Sequence, residues 1–111
     1  MLPFDTSVRS YRFYVRDAAS GGTGPLLTTN FSSTKFELID KGDGKTNFIS
    51  QGLIIANDNL IREIQFSFDG VIVEGDLLPQ ESMNFFTLRR KVIYLRSTLG
   101  GGAEEYRIWA W

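Results

Sequence analysis

The sequence predicts an all-β domain, an antiparallel β-sandwich of jelly-roll or Greek-key type with about seven to nine short strands. Three observations lead there. Apolar and polar residues alternate over short runs instead of recurring at helical spacing. Turn-forming residues interrupt those runs at intervals of roughly 8–12 positions. Aromatic side chains are abundant, with 9 Phe, 4 Tyr and 2 Trp in 111 residues, and aromatics suit the pleated, half-buried surface of a strand.

The first strand is expected over Val8 to Arg16, where Arg9, Tyr11, Phe13 and Val15 alternate with Ser10, Arg12, Tyr14 and Arg16. Asp17 to Pro25 reads as a loop, because its glycines are too free and its proline lacks the donor a ladder needs. Residues 26–34 read as an extended arm or weak edge strand, so that 17–34 as a whole is a loop or arm. Lys35 to Ile39 is a short strand, and Asp40-Lys41-Gly42-Asp43-Gly44 a turn. Thr46 to Ser50 and Gly52 to Ala56 are further short strands, and Asn57-Asp58-Asn59 turns the chain again.

Leu60 to Phe68 and Val71 to Leu77 flank Asp69-Gly70. This dipeptide between alternating apolar residues predicts a hairpin closed by a type I′ turn, with positive φ at both central positions. Leu78-Pro79-Gln80-Glu81 is a turn. Asn84 to Leu88 and Val92 to Arg96 are strands separated by Arg89-Arg90-Lys91. Ser97 to Ala103 is a Gly-rich connection, and Glu104 to Trp111 is the final strand. No second domain is expected: residues 1–111 form one unit.

Composition removes whole chemistries. With no Cys and no His, a disulfide, a thiolate or imidazole zinc site and a Ser-His-Asp triad are all excluded. No cofactor is expected, and the chain reads as non-enzymatic. Net charge is −1 with both signs mixed, so no nucleic-acid partner is expected. The longest apolar run, Leu53-Ile54-Ile55-Ala56, is too short to cross a bilayer, so no membrane partner is expected either. The N-terminus has no secretory pattern, which points to assembly in a cytoplasm. Asn30-Phe31-Ser32 matches a glycosylation acceptor and reads as a chance match in that setting.

Other motifs also read as structural. Gly44-Lys45-Thr46 resembles the end of a phosphate loop, but Ile39 stands where the first glycine belongs and a strand follows instead of a helix. Asp40 and Asp43 fail the calcium-loop spacing, with Gly42 at the third position and Gln51 at the twelfth. Glu74 and Asp76 point the same way from one strand but lack the walled cleft that acid–base pairs need. Arg89-Arg90-Lys91 is a solvated turn, a guard against edge pairing, or a contact for an acidic partner.

The C-terminal strand is the most unusual feature. Alternation puts Tyr106, Ile108 and Ala110 on a core face and Arg107, Trp109 and Trp111 on the other. Three uses suit that second face: packing beneath a loop such as 17–34, a protein interface of the Trp-and-Arg kind, or stacking on a sugar. Arg107, Trp109 and Trp111, with Leu26, Leu27 and Phe31 from the arm, are the candidate contact residues.

Phe66-Ser67-Phe68-Asp69-Gly70, Ile93-Tyr94-Leu95-Arg96-Ser97, the Gly-rich turn and the closing Tyr106-Arg107-Ile108-Trp109-Ala110-Trp111 resemble small virion proteins of tailed bacteriophages. The resemblance covers roughly the C-terminal half. It implies a non-enzymatic part of the virion, on head, neck or tail, that contacts other virion proteins and forms a cyclic homo-oligomer such as a trimer. The alternative function is a carbohydrate-binding sandwich for receptor or glycan recognition, which requires exposed, coplanar Trp rings.

Overall fold

The computed structural model describes residues 11–16, 27–31, 34–98 and 105–111. Its strands are β1 (Phe13–Arg16), β2 (Lys35–Glu37), β3 (Leu53–Asn57), β4 (Ile64–Ser67), β5 (Gly75–Leu77), β6 (Ser82–Phe85), β7 (Val92–Ser97) and β8 (Tyr106–Ala110). They form two four-stranded antiparallel sheets, one in the order β1-β8-β3-β6 and the other β2-β7-β4-β5. The fold class expected from the sequence is therefore the one observed. No described residue lies in an α-helix.

Alternation assigns each strand a core face. Val15, Ile108 and Ile55 stand in one cross-strand row of the first sheet, and Phe13, Ala110, Leu53 and Phe85 in the next. In the second sheet the rows are Leu95–Phe66–Gly75 and Ser97–Ile64–Leu77. Three aromatic contacts pack between the sheets. Phe85 meets Phe66 and Phe68 at 5.8 and 6.0 Å between ring centroids, and Tyr106 meets Phe36 edge-on at 5.6 Å. Such pairs contribute about 0.5–1.5 kcal/mol each beyond their burial. Gly75 makes room for this packing, since a Cβ there would lie 2.8 Å from the Phe66 ring.

Between consecutive described strands, only the step from β4 to β5 stays within one sheet; every other step crosses to the opposite sheet. Crossing segments lack a ladder, so their polar groups need other partners. Buried Asn57, at the end of β3, supplies many of them. Its Nδ2 donates to the carbonyls of Arg62 (2.8 Å), Leu77 (2.9 Å) and Leu78 (3.1 Å), while its Oδ1 accepts from the backbone and side chain of Asn59. Asn59 Oδ1 in turn accepts from the Glu105 N–H just before β8, and Gln80 Nε2 donates to the carbonyls of Asp58 and Asn59. Two crossings thus meet at the Asn57 amide, and Asn59 adds a third. This network also turns the chain before β4, so the strand expected from Leu60 begins at Ile64, and Leu60 and Ile61 are exposed in a loop.

The hairpin is present but not in its expected form. Ile64 pairs with Leu77, Gln65 with Asp76 and Phe66 with Gly75, leaving 68–74 as a loop instead of a two-residue turn. Gly70 has φ 83°, but Asp69 does not have positive φ, so the type I′ turn does not form. Side chains capture the amides a tight ladder would have used. Asp69 Oδ1 accepts from the Val71 and Ile72 N–H groups at 2.8 and 2.9 Å, and Ser67 Oγ accepts from those of Asp69 and Gly70. The register moves by two residues, which preserves the facing of Leu77.

Other boundaries shift as well. β6 begins at Ser82 rather than Asn84 and ends at Phe85. The segment expected as a strand over 46–50 makes a single bridge, Asn47 to Ile39. The turn at 78–81 forms as expected, with Gln80 at φ 68° after Pro79 and Glu81 N–H donating to the Leu78 carbonyl. Most of the expected 17–34 arm lies outside the described residues. Within it, Leu27 and Phe31 are buried in their own chain, at 1% and 3% exposure, and the Ser97 N–H donates to the Thr28 carbonyl. Their contacts at these positions are thus made within the fold.

Two outcomes are expected. Asn57→Ala removes both ends of the buried network and leaves carbonyls without donors. It should cost roughly 2–4 kcal/mol in urea denaturation, and Asn57→Asp should not rescue it, because a carboxylate would face three carbonyls. The second concerns acid. Asp43 accepts from Thr46 through side chain and backbone, and from the Lys45 N–H, which lowers its pKa from 3.8 to about 2. Asp40, held by Gly42 N–H and Arg12, and Asp69, held by Ile72 and Val71 N–H, are lowered too. Each depressed carboxylate contributes its stability fully above its unfolded pKa and loses it as pH falls through the folded one. The thermal midpoint should hold steady above about pH 4 and fall between about pH 4 and 2; Asp43→Asn should flatten that fall.

Candidate functional site

The outer face of the first sheet carries three of the six expected contact residues, Arg107, Trp109 and Trp111. In β8, Arg107 and Trp109 point opposite to the buried Tyr106, Ile108 and Ala110, as alternation predicts, and Trp111 follows on the same side. Strand pairing then adds residues that no local pattern links. Tyr14 of β1 and Ile54 of β3 both stand in register with Trp109, and Asn84 of β6 stands beside Ile54.

The rings form two groups on this face. Tyr14 lies 5.6 Å from Trp109, Tyr11 lies 6.4 Å from Trp109 and 6.0 Å from Tyr14, and Phe86 lies 6.5 Å from Trp111. Lys41 Nζ sits 5.3 Å from the Tyr11 ring centre. Trp109 and Trp111 are half-buried, while Tyr14 is 41% and Phe86 57% exposed. Ile54 faces outward yet is only 4% exposed, which places it beneath the aromatic layer. Trp111 settles onto Gly52, where a Cβ would lie 2.4 Å from the indole. The Trp111 N–H donates to the Gly52 carbonyl, and the Gln51 N–H donates to the Trp111 carbonyl.

Arg107 frames this surface. Its Nε and Nη2 donate to the two Asp58 carboxylate oxygens at 2.5 and 2.8 Å, and its Cζ lies 4.8 Å from the Trp109 ring centre. The hydrogen bond to Asp58 raises the Arg107 pKa above its ordinary value against the opposing effect of burial. The guanidinium is therefore a fixed, planar cation beside an indole, able to contact an incoming group with little loss of side-chain freedom. The neighbouring rings are tilted: Trp109 by 49° from Tyr14 and 56° from Tyr11, and Trp111 by 52° from Phe86.

The remaining sequence candidates do not join this surface. Leu27 and Phe31 are buried elsewhere in the fold, and Leu26 lies outside the described residues. In the Gly44-Lys45-Thr46 segment the Thr46 hydroxyl donates to the Asp43 carboxylate, and Asp40 accepts from Gly42 N–H at 2.8 Å and Arg12 Nε at 2.9 Å. These aspartates build their own turn. Among the described residues, no three Asp or Glu side chains gather to hold a metal ion. Tyr11, Tyr14, Phe86 and Asp58 were not marked by the sequence, because their roles depend on which strands become neighbours. No protein family, curated protein or solved structure matches the chain.

Gly52→Ala tests whether Trp111 is held as described. A Cβ there would also lie 2.9 Å from the Phe85 carbonyl, so the indole has to move. The variant should lose about 1–3 kcal/mol, and its tryptophan emission should shift to the red as Trp111 becomes more exposed. Unchanged emission would show that the ring is not seated on Gly52.

Proposed function

We infer that this chain is a non-enzymatic structural protein of a bacteriophage virion, decorating or stabilising the capsid or forming part of the neck or tail, and that it works by contact. The observation that supports this reading is the outer face of the first sheet. Tyr14, Trp109, Trp111 and Phe86 remain partly or largely exposed, and an ion-paired Arg107 stands among them. Trp, Tyr and Arg are the side chains that dominate the energy of protein interfaces. A sheet face already ordered by its own ring contacts loses little further freedom on docking. The partner is another virion protein, with no cofactor, nucleic acid or membrane in the contact.

The test is binding of the purified protein to particles of its phage. Trp109→Ala and Tyr14→Ala should each weaken binding at least tenfold, with unchanged circular dichroism. Leu60→Ser, at an exposed position outside this face, should bind like the parent. Binding insensitive to Trp109→Ala, or a protein inert towards the particles, would overturn the reading. Glycan-array binding lost on Trp109→Ala would replace it with carbohydrate recognition.

A further inference from the structure

The connection from β6 to β7 carries three consecutive cations, Arg89, Arg90 and Lys91, which the aromatic face does not use. Their backbone is pinned. Ser50 Oγ donates to the Leu88 carbonyl at 2.6 Å and accepts from the Arg90 N–H at 2.9 Å. The Ser50 N–H donates to the Arg90 carbonyl, and the Leu38 N–H to that of Lys91. The Arg90 guanidinium lies over the Phe68 ring at 4.7 Å. With Ile49, Phe68 and Val92, these cations line an open hollow of about 340 Å³. Ile49 gives it an exposed apolar wall.

Among the described residues, no carboxylate pairs with Arg89, Arg90 or Lys91. Asp69, next to Phe68, is occupied by the Val71 and Ile72 amides. Three like charges on a fixed backbone repel one another, and the Phe68 ring beneath Arg90 offsets this only in part. Their chemical complement is a segment that offers carboxylates next to aliphatic side chains.

The chain contains such a segment. Val71, Ile72 and Val73 are exposed, and they lead into Glu74 and Asp76, also exposed and without ion-pair partners among the described residues. Asp76 lies on β5, which among the described residues is the edge strand of the second sheet and pairs only with β4. No ion pair joins this segment to Arg89, Arg90 or Lys91 within one chain.

We propose that residues 71–76 of one copy dock onto the hollow at Arg89–Lys91 of a second copy, so that the protein assembles head to tail. Carboxylates of Glu74 and Asp76 pair with the cations, while Val71, Ile72 and Val73 pack against Ile49 and Phe68. A one-way contact of this kind is heterologous and repeats from copy to copy until a ring closes. This contact goes beyond the aromatic face, which stays open for another virion protein.

Size-exclusion chromatography with light scattering tests it over a range of concentration and salt. The parent should exceed its 12.6 kDa monomer mass at low salt, and the excess should shrink as salt rises. Glu74→Lys/Asp76→Lys and Arg89→Glu/Lys91→Glu alter exposed side chains only, so both should fold. Each should remain monomeric alone, with self-association weakened at least tenfold. An equimolar mixture of the two should regain the larger mass, because each supplies the charge the other reverses. A parent that is monomeric at every concentration overturns the proposal, as do variants that assemble like the parent or a mixture that stays monomeric. Assembly lost on Trp109→Ala but kept in the charge variants would assign the contact to the aromatic face instead.

Discussion

Buried Asn57 is the constraint around which the two sheets are organised. The hydrophobic core supplies most of the driving force, but that force is non-directional and does not choose which strands become neighbours. The Asn57 amide does choose. It requires the end of β5, the approach to β4 and the 58–59 turn to lie together, and Asn59 adds the start of β8. A fully satisfied polar group in an apolar setting favours one arrangement, because every alternative leaves it without partners. Ser50 plays the same part at another crossing, joining the approach to β3 to the 88–90 segment.

This division of labour explains what was legible in the sequence. Tyr106, Ile108 and Ala110 were readable as core because alternation is a local property of one strand, and the opposite placement of Arg107 and Trp109 followed at once. The pairing of β4 with β5 was readable because it is the single step that stays within a sheet. Its register was not, since the Asp69 carboxylate and Ser67 hydroxyl compete with the ladder for the same amides. Leu60 and Ile61 looked like strand residues by composition, but the Asn57 network turns the chain before them. Short, polar β6 is specified chiefly by its neighbour β3, so its own residues carried little signal.

The candidate site divides along the same line. Its β8 residues were visible as a pattern. Tyr14 and Phe86 entered only through the pairing of β1 with β8 and through the position of the segment after β6. A sheet face is a surface assembled from distant parts of the chain. Its chemistry is therefore set by register as much as by composition. The result is a layer of rings that covers Ile54 while keeping part of its own area open, with Arg107 held in place by Asp58 instead of moving freely in solvent.

The place of β8 has a consequence for how the protein is made. In the first sheet β8 lies between β1 and β3, although it is the last of the described strands in sequence. Until β8 has been synthesised, β1 and β3 have no strand to join them. Both present unpaired edges to other nascent chains and to chaperones. The first sheet can close only after residues 106–110 have left the exit tunnel, whatever local structure forms earlier. Crowded synthesis of many copies therefore places a premium on rapid capture of β8, the strand that also carries Trp109.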